Sequence, residues 1–136
     1  MTDSSYPFTG LDGSCKYASN VATPVVTTGR VSINTEDPVA MQTAVMENIL
    51  SVAVCSAHKD FQLYSGGIFD QAHCGTLLDH ATNVVGWGHD DKSNVDYWIM
   101  RNSWGTSWGD QGYMLVKIQA DTGICGIQIE PQYATV

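Results

Sequence analysis

Two residues in this chain have the types needed for proton-transfer chemistry: His80, in Asp79-His80-Ala81, and Asn102, in Asn102-Ser103-Trp104-Gly105. An imidazole gains and loses a proton near neutral pH, which suits it to act as base and then as acid. A neutral amide can hold an imidazole in one orientation for nucleophilic catalysis without adding a full negative charge. The bland alternative for a lone histidine beside apolar residues is a satisfied core position. The other candidates are Cys15, Cys55, Cys74 and Cys125. None are spaced as C-x-x-C, so a zinc ribbon or thioredoxin-type motif is not supported. Four cysteines permit two disulfides in three pairings, or buried free thiols in a reducing compartment.

Both candidate residues lie at the edges of apolar runs. Asp79-His80 falls within the run Leu77 to Gly88, and Asn102 closes the run Asp96 to Arg101. Leu50 to Val54 and Gly112 to Ile118 complete the main strands, the latter with Tyr113, Leu115 and Lys117 alternating with Met114, Val116 and Ile118. Upstream, Pro7, Gly10, Gly13, Pro24 and Gly29 mark loop, with short strands expected at Val25-Val26 and Val31–Ile33. One helix is expected over about residues 36–49. Asn34 or Thr35 caps it, and Glu36, Asp37 and Pro38 occupy its first turn, where carboxylates and proline are tolerated or favoured. One helix followed by several strands describes an α+β domain dominated by a twisted antiparallel sheet or barrel.

At 136 residues the chain fits one compact domain, and its 43% hydrophobic, 15% charged composition is that of a globular protein. The net charge of −8 excludes the cationic face that nucleic acid or an anionic membrane surface would need. No apolar run approaches the roughly 18 residues of a membrane span. Met1 to Ser5 has no cationic segment leading into an apolar one, so no signal peptide is expected at this terminus.

Several blocks carry a specific resemblance. They are Lys59-Asp60-Phe61-Gln62-Leu63-Tyr64-Ser65-Gly66-Gly67-Ile68-Phe69, then Cys74-Gly75-Thr76-Leu77-Leu78-Asp79-His80-Ala81 with Val84-Val85-Gly86-Trp87-Gly88. Tyr97-Trp98-Ile99-Met100-Arg101-Asn102-Ser103-Trp104-Gly105-Thr106-Ser107-Trp108-Gly109 follows, with Gly112-Tyr113-Met114 and Gly123-Ile124-Cys125-Gly126-Ile127. In kind, order and spacing they resemble the papain-like cysteine peptidases over essentially the whole chain. That family has a helical and a β-rich lobe facing across a cleft. The resemblance makes residues 1–136 the β-rich C-terminal lobe, with the helical N-terminal lobe absent.

The resemblance implies roles. His80 is the base and later the acid, paired with a cysteine thiolate, and Asn102 holds its far ring nitrogen. Trp104 shields that hydrogen bond and Trp108 stacks near the primed side of the cleft, roles compatible with core packing. Ala53, Leu78, Asp79 and Ala81 line the substrate, with Glu130 at the floor of a mainly apolar pocket where it admits a basic side chain or turns to solvent. Cys74 and Cys125 form a disulfide, Cys15 has lost a partner in the other lobe, and Cys55 is an incidental thiol. His58, His73 and His89 read as loop residues. Zinc at His73-Cys74 would consume a disulfide cysteine, so no metal or cofactor is implied.

The family's Cys-Trp nucleophile segment and its upstream oxyanion-hole glutamine have no counterpart here, so this chain alone is not expected to be a competent peptidase. Met1 to Phe8 resembles the stretch joining the two lobes, which makes the chain look cut from a longer one. It is then the C-terminal part of a peptidase completed by another polypeptide segment, an inactive relative serving as a structural or binding subunit, or a truncated product. In the first two cases a partner is expected over the cleft face, because an uncovered lobe face is an apolar liability. The implied setting is secreted or a lysosomal or vacuolar compartment.

Overall fold

The computed structural model describes residues 5–16 and 26–136. Val25 of the expected Val25-Val26 strand lies outside them, as does most of the Met1–Ser5 terminus, and Val26 belongs to no strand. Among the described residues seven strands form one sheet: β1 Gly29–Ser32, β2 Leu50–Val54, β3 Ile68–Phe69, β4 His80–Asp90, β5 Val95–Arg101, β6 Tyr113–Lys117 and β7 Gln132–Thr135. Their order is β1-β7-β2-β4-β5-β6-β3. Every pairing is antiparallel except the two-residue β3–β6 contact.

The helix is shorter than the pattern predicts. Helix α1 spans Pro38–Val45, and its cap is Asp37, whose Oδ1 accepts from the Ala40 amide at 2.9 Å. Glu36, expected in the first turn, instead takes a left-handed backbone with φ 60°. The reason is local: a proline at N1 keeps its predecessor out of the helical region, which makes Asp37 the cap. A second helix, α2, is one turn at Lys59–Gln62. None of the described helices is long and apolar enough to cross a membrane.

The core forms where α1 lays Met41 and Val45 against the sheet and Val52, Val54, Val84, Trp98, Met100, Met114 and Val116 face inward. Trp98 is fully buried, so its indole N–H needs a partner. It donates to Oε1 of Gln128, also fully buried, whose Nε2 donates to the carbonyls of Gln119 and Asp121. This network fixes the segment after β6 against the sheet.

Cys74 and Cys125 form the disulfide, joining the 3-10 turn Ala72–Cys74 to the turn Ile124–Gly126 across 51 residues of chain. Closing a loop of that length removes denatured-state entropy worth about 4 kcal/mol. Replacing both cysteines by serine is therefore expected to lower unfolding free energy by about 2–4 kcal/mol, measured by urea denaturation. A change under about 0.5 kcal/mol would show that the bond does not constrain this lobe.

Candidate functional site

One long hairpin explains why residues so far apart in sequence meet. Strand β4 runs out from His80, a tight turn at residues 91–94 reverses it, and β5 returns in register, with Asn83 opposite Arg101. The first residue of β4 and the residue just past β5 are thereby brought to one end of the sheet. A bulge between Val84 and Gly86 interrupts the ladder and twists the hairpin. On the other side His80 pairs with Val54 of β2. The Asn102 amide donates to the Gly112 carbonyl at 2.9 Å, which anchors the residue beyond the strand end.

His80 Nε2 lies 2.8 Å from Asn102 Oδ1. The Ser103 backbone amide donates to the same oxygen at 2.7 Å. A backbone N–H can only donate, so the atom it meets must be the amide oxygen. It follows that Nε2 of His80 carries the hydrogen and donates to Asn102, which leaves the Nδ1 lone pair free in the neutral ring. The arrangement selects one tautomer and thus one basic nitrogen. Asn102 is buried, and among the described residues its Nδ2 has no hydrogen-bond partner, which is an energetic cost at this position.

Trp104 stacks on the imidazole, with ring centroids 5.0 Å apart and planes 29° from parallel. It is 39% exposed, so it forms a lid between the His80–Asn102 pair and solvent. Trp108 sits deeper, buried against Phe61, Tyr64 and Trp104, and its indole N–H donates to the Gln62 carbonyl at 3.0 Å. It supports Trp104 from behind. The α2 residue Phe61 reaches the same cluster, 5.6 Å from Trp104.

The remaining expected site residues divide into groups. Ala53 and Ala81 face each other across β2 and β4, one position from His80. Leu78 precedes β4 and packs close to Gly126, where an added Cβ would lie 2.8 Å from its Cδ2. Asp79 is exposed, and its Oδ1 accepts from the Ser56 amide at 2.7 Å and the Ser56 hydroxyl at 2.9 Å. The Ser56 amide bond, foremost, holds the Asp79 carboxyl below the usual carboxylate range, with the Ser56 hydroxyl and nearby His80 adding to the effect. Glu130 is exposed and lines a depression with Arg30, Ser32, Ile33 and Gln132, whose walls include neither Ala53 nor Ala81. Cys55 is a buried free thiol whose amide donates to the Cys125 carbonyl, and Cys15 is free and exposed.

Comparison with solved structures defines the class. The bromelain protease from Ananas comosus superposes with a TM-score of 0.87 at 34% identity, over 99% of this chain and 62% of that one. The fold is the C-terminal lobe of a papain-like protease. Residues 1–135 match the papain family cysteine proteases, and the chain belongs to that family. Among curated relatives, cathepsin L of Sarcophaga peregrina is 43% identical over 138 residues, covering 99% of this chain and 40% of its own length. A cysteine proteinase of Arabidopsis thaliana is 41% identical over 134 residues, covering 97% of this chain and 28% of its own. The chain thus spans well under half the length of these relatives and corresponds to their C-terminal part.

Proposed function

We propose that this chain is the C-terminal half of a cysteine endopeptidase, supplying His80 and Asn102 to a nucleophilic cysteine carried by an N-terminal lobe. The observation that carries this reading is the fixed tautomer. Asn102 accepts from Nε2, so Nδ1 is the nitrogen left to take a proton. In the completed site Nδ1 takes the thiol proton and the imidazolium holds the thiolate beside the substrate carbonyl. After attack it returns the proton to the leaving amine, and then repeats the cycle with water to release the acyl group. Trp104 keeps bulk water from competing for Asn102 Oδ1 throughout. Ala53, Leu78 and Ala81 present an apolar wall to the substrate, and Asp79 is held beside it by Ser56. The cysteine-bearing lobe covers the exposed Leu77, Phe8 and Leu11. The disulfide fits a secreted, lysosomal or vacuolar setting.

The test is alkylation of the native material with a thiol-directed epoxide inhibitor, followed by peptide mapping. An adduct is expected on a cysteine in a Cys-Trp segment outside these 136 residues. Absence of any adduct would mean a family member that keeps the fold as a structural or binding subunit.

A further inference from the structure

We propose that His58, Asp60 and His73 form a divalent-cation site of the zinc class, separate from the His80–Asn102 pair. In sequence the two histidines are loop residues, and His73 stands out only for its neighbour Cys74. The fold changes that. His58 caps α2, Asp60 lies in its first turn, and the disulfide at Cys74 pins the 3-10 turn that carries His73. One ligand atom from each of the three lies within 4.8 Å of the others.

The distances fit a metal. His73 Nε2 is 3.1 Å and His58 Nδ1 is 3.6 Å from Asp60 Oδ2. Bonds of about 2.0–2.1 Å in a tetrahedron place ligand atoms about 3.3 Å apart. The two observed nitrogen–oxygen spacings bracket that value, and the ligand nitrogens of the two imidazoles lie within 4.8 Å of each other. The rings are 4.6 Å apart and meet edge to face at 77°, so one imidazole must turn for both lone pairs to reach one ion. Two imidazoles and one carboxylate suit zinc, copper or nickel better than magnesium or calcium, which prefer all-oxygen sites. Water would fill the fourth position.

Two further features bear on affinity. The chain's net charge of −8 draws cations toward its surface, and the His58, Asp60 and His73 side chains are 37%, 48% and 57% exposed, so an ion has open access. Against this, His58 Nδ1 accepts from the Asp60 amide at 3.2 Å. Ligation through either ring nitrogen ends that bond, because Nδ1 then holds either the metal or the proton. Binding is therefore moderate.

The test is calorimetric titration of the native protein with zinc chloride after alkylation of its accessible thiols, which removes thiolate sites from the count. One zinc per chain is expected, with a Kd on the order of micromolar. His73→Ala and Asp60→Asn are each expected to weaken binding by at least about tenfold. Zinc is also expected to raise the melting temperature of the parent protein and not of His73→Ala. Both substituted side chains are about half exposed, so the variants should fold. No saturable binding, or one zinc bound with undiminished affinity by both variants, overturns the proposal. Neither result touches the peptidase reading, which rests on His80 and Asn102.

Discussion

Replacing His80 by alanine in the complete protease is expected to lower kcat/KM for peptide hydrolysis by about ten-thousandfold or more. On the proposed reading the loss is large because one side chain would do three jobs: take the thiol proton, stabilise the thiolate as imidazolium, and protonate the leaving group. Alkylation by the epoxide inhibitor should slow as well, since the thiolate loses its counter-ion. Asn102→Ala tests the tautomer argument separately. Without Oδ1 the ring can rotate and protonate on either nitrogen, but the base remains, so a smaller loss of about ten- to a hundredfold is expected. The order of the two effects is the critical result. A His80→Ala protein within tenfold of the parent would remove His80 from the chemistry. Equal losses for both variants would make the pair an inseparable unit and refute a purely orienting Asn102.

His80 and Asn102 stand out in the sequence by residue type and by the family resemblance. The apolar runs Leu77–Gly88 and Asp96–Arg101 are legible as strands, but the meeting of His80 and Asn102 is implied only by the resemblance, and the hairpin that brings them together appears in the structure. Strand Leu50–Val54 is legible for the same reason, as a short β-branched run. What escaped was non-local or governed by one residue. Strand β7, Gln132–Thr135, is a strand because β1 and β2 lie on either side of it, with Thr28 and Thr135 bonded across 107 residues. The two-residue β3 depends on β6. The helix starts later than a cap at Asn34 or Thr35 would set it, because the residue before Pro38 leaves the helical region. The His58–Asp60–His73 cluster was invisible because its last member is placed by a disulfide, and no local pattern marks residues that such a bond brings together. Trp104 and Trp108 share a motif and spacing yet differ in burial, a distinction set by packing on Phe61 and Tyr64.

The same motif supplies the largest expected stability effect. Gly109→Ala is expected to destabilise the protein by about 3 kcal/mol or more. Gly109 has φ +59°, a left-handed conformation costing a residue with a Cβ about 1–2 kcal/mol. The added Cβ would also lie 2.4 Å from the Tyr113 carbonyl oxygen and 3.2 Å from the Tyr64 ring. A flexible side chain could yield, but this carbonyl accepts from the Asp110 amide at 2.9 Å and belongs to the first residue of β6. Relief therefore requires moving the turn that holds Trp108, and through it Trp104 over His80. Gly105 provides the control, since its φ is +86° but an added Cβ meets nothing within 4 Å. Gly105→Ala should lose only the conformational part, about 1–2 kcal/mol. Urea midpoints for the two variants, at unchanged slope, separate strain from collision. If both shift equally, the collision at Tyr113 is relieved at no cost, and the loop beneath the tryptophan lid is softer than its contacts imply.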